Sequence, residues 1–163
     1  MFVLGIDPGV ARCGYGVVEQ VGRQARGVDI GVLRTPAGMA QPERLLSLQD
    51  GIRALFDRYE PEVLVLERVL LHVDSRTALS VGQASGVAMV EGARRGVEVA
   101  EYSPNEVKGA VVGYGSATKA QVQLMVKTLL GLDAPPKPAD AADAAAIALC
   151  HLARIPTPRR ART

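Results

Sequence analysis

The chain has 163 residues and a mass of 17.2 kDa, with 48% apolar and 22% charged residues. That composition supports one packed domain and excludes a disordered chain. The formal charge of +2 is uneven: four arginines and no acid fall in residues 154–163, leaving 15 basic against 17 acidic residues before them. A near-neutral body of this kind is unsuited to wrapping nucleic acid wholesale, while a local basic patch stays open to it. No apolar run approaches the roughly 18 residues of a membrane span. The opening MFVLGIDPG has no basic leader, and the two cysteines, Cys13 and Cys150, form no CxxC pair. These features fit a reduced, cytoplasmic setting without structural zinc or a membrane partner. Residues 1–153 read as a single domain and 154–163 as a basic tail expected to be disordered.

In chain order, residues 2–6 form an apolar strand stopped by Asp7 and the turn pair Pro8-Gly9. Cys13 to Val18 and Val28 to Thr35 continue as two more strands, giving an antiparallel meander. Pro42 to Tyr59 carries Leu45, Leu48, Ile52, Leu55 and Phe56 at helical spacing. Val63 to Leu66 is apolar throughout, as in a strand buried on both faces, and ends at Glu67. A long helix over Ser75–Arg95, capped by Ser75, leads to a strand over Val97–Tyr102. The helix carries small residues along one side (Gly82, Ser85, Gly86, Ala93), read first as close packing and second as a dimer contact. Ser103-Pro104-Asn105-Glu106 spells a capping box for a short helix to Val112. Gly113-Tyr114-Gly115 breaks it, Ser116 is placed to cap a helix to Leu130, and the alanine-rich run 139–152 is the last helix. The class is α/β.

Four acids stand out. Asp7 ends the first strand, where an Asp before Pro-Gly also commonly caps its own turn. Glu67 ends an apolar strand, either at the rim paired with Arg68 or satisfied by a cation. Asp140 and Asp143, three apart, share one helix face among alanines; complementing the helix dipole is the competing explanation. An oxygen-only set of this kind suits Mg²⁺ or Mn²⁺. Two such ions about 4 Å apart can drive phosphodiester hydrolysis. Lys108, Lys119 and Lys127 are three of only four lysines and lie within one twenty-residue stretch. Lys108 and Lys119 are read as phosphate contacts, with Ser116 and Thr118 as further donors beside the glycine-broken link, and Lys127 as a solvated lysine. GYGSATK over 113–119 lacks the phosphate-loop spacing, and His72 and His151 stand too far apart in sequence to suggest a metal pair.

The residues Gly5-Ile6-Asp7-Pro8-Gly9, Gly14-Tyr15-Gly16-Val17, Leu66-Glu67, Gly82-Gln83-Ala84, Val111-Val112-Gly113, Gly115-Ser116-Ala117 and Ala139-Asp140-Ala141-Ala142-Asp143-Ala144 occur in this order. Together they resemble the RuvC family of bacterial Holliday junction resolvases over nearly the whole chain. The resemblance implies a ribonuclease H-like fold, a five-stranded mixed sheet with helices on both sides. It also implies a homodimer that nicks two opposing strands of a four-way DNA junction, in recombination and repair, alongside a branch-migration complex of the RuvA and RuvB type. It assigns Asp7, Glu67, Asp140 and Asp143 to two Mg²⁺ ions per subunit, replaceable by Mn²⁺, and Lys108 and Lys119 to the scissile phosphate, with Lys119 in the chemistry. The family's stacking aromatic falls at Leu70, expected to act as an apolar wedge, and Arg76 is expected to contact DNA. The rival readings are a non-catalytic junction-binding module and a ribonuclease H-like enzyme acting on RNA–DNA hybrids.

Overall fold

The structure, a computed structural model, describes residues 1–68 and 74–155. Strands β1 (Phe2–Asp7), β2 (Arg12–Val21) and β3 (Gln24–Arg34) form the expected antiparallel meander. Helix α1 (Gln41–Tyr59) returns the chain to β4 (Val63–Glu67), parallel to β1, and α2 (Ser75–Arg95) returns it to β5 (Glu98–Tyr102), parallel to β4. Helices α3 (Pro104–Val112), α4 (Lys119–Leu130) and α5 (Ala139–Arg154) follow. The sheet order is β3-β2-β1-β4-β5, so β1 is central, antiparallel to one neighbour and parallel to the other.

Strand alternation divides the apolar side chains between two cores. Leu4, Ile6, Leu64 and Leu66 pack with Leu48, Ile52 and Phe56 of α1 and Ala84 and Ala88 of α2. Val3, Val63 and Val65 point the other way, against α3, α4 and α5. Both faces of β4 are therefore covered, as its unbroken apolar run requires.

The alanines of α5 have a packing cause. Ala141, Ala142 and every residue from Ala144 to His151 are buried. Beneath them lie Gly5, Gly14 and Gly16 of β1 and β2; a methyl group at Gly5 would overlap the Ala144 carbonyl oxygen, one at Gly14 the Asp140 carbonyl oxygen, and one at Gly16 the Ala145 backbone. Helix and sheet approach backbone to backbone, which only small residues on both partners permit.

Several sequence expectations need correction. Asp74, not Ser75, caps α2: its Oδ1 accepts from the Arg76 and Thr77 amides, both at 3.1 Å, and Oδ2 accepts the Thr77 hydroxyl at 2.6 Å. Thr118, not Ser116, caps α4, because Gln121 lies three residues on and closes a reciprocal capping box with it. The third strand begins at Gln24 rather than Val28; residues 24–28 alternate between exposed and half-buried positions, but the inward ones are only Ala25 and Gly27, and the arm is held by the Arg26–Glu19 pair at 2.6 Å across Gly22-Arg23. Arg154, assigned to the tail, belongs to the last turn of α5 and pairs with Glu106 at 3.2 Å. The expected disorder of the remaining tail and the Leu70 and His72 readings concern residues outside those described.

Candidate active site

Parallel pairing puts the carboxyl ends of β1 and β4 side by side, with Ile6 opposite Leu66. Asp7 and Glu67 follow directly, and alternation turns both to the face that Val3, Val63 and Val65 present to α5. The first two turns of α5 cross the same strand ends, seated on Gly14, and bring in Asp140 and Asp143. The result is one cleft of about 330 Å³ lined by all four acids together with Lys108 and Lys119, on a floor that includes Val107, Val122 and Ala146. The convergence expected from sequence is present.

The electrostatics follow from that crowding. Burial, then the nearby charges of Glu67, Asp143 and Asp140, push the Asp7 carboxyl from its ordinary 3.8 up to about 7, against an opposing pull from Lys119. Burial and Asp143 also raise Glu67, opposed by Lys119 and Lys108. Asp143, with a hydrogen bond at 3.2 Å, holds the Lys119 ammonium above its ordinary range. Of the competing assignments, the Asp7 turn cap and the Glu67–Arg68 pair are not realised, whereas Asp140 does stand in the first turn of α5, where it also complements the helix dipole. The turn after Asp7 is fixed instead by Thr35, whose hydroxyl donates to the Val10 carbonyl at 2.6 Å, and by Ser80, whose Oγ accepts the Val10 amide at 3.3 Å. Arg68 reaches the Glu101 carbonyl rather than Glu67.

Two cations stand against the helix acids: Lys119 Nζ lies 3.2 Å from Asp143 Oδ2, and Arg12 Nε lies 3.5 Å from Asp140 Oδ2. With those pairs formed, no group of three or more His, Cys, Asp or Glu among the described residues is set as a ready-made metal cage. Arg12 escaped the sequence reading because its partner is 128 residues away. The available signal was its position two residues before Gly14, on the strand face that meets α5.

The remaining expected site residues are placed less centrally. Ser116 is exposed in the turn between α3 and α4 and does not line the cleft; Arg76 is exposed in the first turn of α2, also outside the lining. His151 is buried, with Nδ1 2.9 Å from the Tyr102 hydroxyl, far from any metal role.

A mixed five-stranded sheet in this order, flanked by helices on both faces, is the ribonuclease H-like architecture. Comparison with known proteins makes the family specific. Residues 3–151 match the model of the family described as crossover junction endodeoxyribonuclease RuvC. The crossover junction endodeoxyribonuclease RuvC of Chloroflexus aggregans is 52% identical over 160 residues, covering 98% of each chain. That of Leifsonia xyli is 55% identical over 150 residues, covering 91% of this chain and 72% of the relative. The Thermus thermophilus RuvC solved in complex with Holliday junction substrate superposes with a TM-score of 0.87 at 37% identity, covering 93% of this chain and 92% of that one. The chain belongs to the RuvC family of crossover junction endodeoxyribonucleases.

Proposed function

We propose that this chain resolves four-way DNA junctions by divalent-metal-dependent hydrolysis, acting as a homodimer that nicks two opposing strands. The observation that carries the reading is the single cleft in which four carboxylates meet two lysines, with Asp7 pushed up to about 7 by burial and its neighbours. The donor set is oxygen-only, half-buried and crowded with like charge, which is the chemistry a hard divalent cation neutralises. Asp7, Glu67, Asp140 and Asp143 would hold Mg²⁺, or Mn²⁺ in its place, two ions per subunit. Bound there, the metal supplies activation of water and stabilisation of the leaving oxygen.

The chain's own residues do the rest. Asp7 and Glu67 are held rigidly by paired strand ends, and Asp140 and Asp143 by a buried helix, so the acids keep their positions as substrate arrives. Lys119, released from Asp143, turns its ammonium to the scissile phosphate, and Lys108 contacts the same strand from α3. Residues 1–153 act as one catalytic domain; Ser116 and Arg76 are peripheral DNA contacts, and Leu70 is a further DNA contact. The two subunits match the two-fold symmetry of the junction. A branch-migration complex of the RuvA and RuvB type is the partner in a cytoplasmic setting, which the two free buried cysteines also suit.

The test is nicking of a synthetic four-way junction with and without Mg²⁺, against duplex and RNA–DNA hybrid competitors. Paired, ligatable nicks that require Mg²⁺ and resist both competitors are expected. Undiminished cleavage in chelator, or preference for the hybrid, would overturn the reading.

A further inference from the structure

Across the catalytic end of the sheet, Glu67 closes β4, Asp7 closes β1, Arg12 opens β2 and Arg34 closes β3. Lys108 and Lys119 flank the acids from α3 and α4. On the other side, Arg12 and Arg34 are direct cross-strand partners, on the face that carries Gly14 against α5. Like charges placed directly opposite one another destabilise a strand pair. Only one of the two guanidiniums has an acid partner: Asp140 pairs with Arg12 at 3.5 Å, and Arg34 forms no ion pair among the described residues. Such a broken local rule at the mouth of a catalytic cleft is a mark of function rather than of stability.

Resting on the nuclease reading of this cleft, we infer that Arg12 and Arg34 form a phosphate clamp for the bound DNA strand, beyond Asp140 and opposite Lys108 and Lys119. An anion seated between the two guanidiniums turns their repulsion into shared binding, and the planar fork of Arg suits phosphate oxygens. Two strand spacings separate β3 from β1, about 10 Å. At about 3.4 Å of helix axis per nucleotide, the clamped phosphate lies two or three nucleotides from the bond at Asp7. When the strand arrives, Arg12 shifts from Asp140 to this phosphate and frees the carboxylate for its cation. The substrate thereby helps to assemble the site.

The experiment measures junction binding without divalent ions, by anisotropy over a salt series, for wild type, Arg34→Ala, Arg12→Ala and the Lys variant at each position. Arg23→Ala, in the hairpin turn at the far end of the sheet, is the control. Each lost phosphate contact lowers the slope of log affinity against log salt by about 0.9, so the advantage of wild type shrinks about 3.5-fold between 50 and 200 mM salt for every contact removed. The Lys variants retain the slope, and Arg23→Ala leaves it unchanged. Arg34→Ala melts no lower than wild type, since it relieves a like-charge pair, which separates lost binding from lost folding. Arg12→Ala additionally binds Mn²⁺ more tightly than wild type, read as a larger rise in melting temperature per increment of metal, because Asp140 no longer has an internal partner. An unchanged slope in Arg34→Ala, with wild type binding the junction normally, overturns the clamp alone. Failure of wild type to bind the junction overturns the nuclease reading and the clamp with it.

Discussion

Asp7 concentrates the conflict that the site is built on. Its carboxyl is raised from 3.8 to about 7 by burial first and by Glu67, Asp143 and Asp140 after it, so the fold prefers it protonated. The stabilising contribution of that proton is complete below about pH 4 and is lost as pH rises through 7. At pH 8 the ionised Asp7 costs the metal-free fold at most about 4 kcal/mol. Asp7→Asn keeps the shape and removes the charge. In chelator the variant should melt above wild type at pH 8 and lose that advantage at pH 4. Adding Mg²⁺ should raise the wild-type melting temperature and leave that of the variant almost unmoved. Junction binding should survive and cleavage should vanish. Equal melting temperatures at pH 8, or full activity in the variant, would contradict this assignment.

The acids could be picked out in the sequence because each ends or opens an element whose limits are locally encoded: Asp7 before Pro-Gly, Glu67 after four apolar residues, Asp140 and Asp143 at a helix start. Their partners could not be. The Arg12–Asp140 and Lys119–Asp143 pairs join residues 128 and 24 positions apart, and no local pattern reports which cation a folded helix face will meet.

At the scale of elements, the contact of α5 with β1 and β2 sets the position of half the site. The sequence shows alanines; that they answer Gly5, Gly14 and Gly16 on the facing strands emerges only when the strands are paired. Gly14→Ala would drive a methyl group into the Asp140 carbonyl oxygen, so the first turn of α5 must retreat. Overpacking of this kind costs about 2 kcal/mol, and it displaces Asp140 itself. The expected signature is a strong fall in kcat with KM for the junction little changed. A variant that melts lower yet cleaves normally would show that α5 tolerates the shift.

On the other face, Glu91 of α2 has a side chain that is 0% exposed, beneath Arg53 of α1 at 3.3 Å and Arg95 at 3.7 Å, with Gln49 donating at 3.3 Å. Burial opposes its charge, yet the hydrogen bonds from Arg53 and Gln49 and the charges of Arg53 and Arg94 hold its carboxyl below the usual range. The arginines are partly solvated, so Glu91→Ala should cost about 2 kcal/mol, less than the roughly 3–5 of a fully enclosed pair. Denaturant melts should register that loss while cleavage per folded molecule stays at the wild-type rate, since α1 and α2 lie across the sheet from the cleft. The same scale shows what local sequence can settle. The Ser103–Glu106 box was legible because both partners lie within four residues, whereas the α4 cap falls on Thr118 instead of the expected Ser116, since Gln121 three residues on closes the reciprocal box.

At the scale of the whole molecule, one cleft cuts one strand, and paired incision requires two clefts in fixed relation. In the homodimer proposed above, helix α2 is the candidate surface for that relation. Leu79 is 63% exposed and Val90 53%, and with Gln83 and Gly86 they fall within about 60° of arc on the helix. Methyl groups at Gly82 and Gly86 would meet nothing within 4 Å, so the glycines are shallow depressions between two apolar knobs about 16 Å apart. An isologous contact in the proposed homodimer needs one exposed apolar patch that meets its own copy about a two-fold axis, and this face is the candidate for it. A stable contact needs about 800 Å² from each partner, more than four side chains supply, so neighbouring parts of the surface must join it. Replacing both Leu79 and Val90 with Glu should leave the fold intact, since neither side chain is buried, and should convert dimer to monomer in light scattering. On a supercoiled plasmid with an extruded four-way junction, wild type should give linear product from coordinated nicks. The double variant should accumulate nicked circles, or should fail to cut if junction binding itself depends on the pair. Linear product from a demonstrated monomer would place the two-fold contact elsewhere on the molecule.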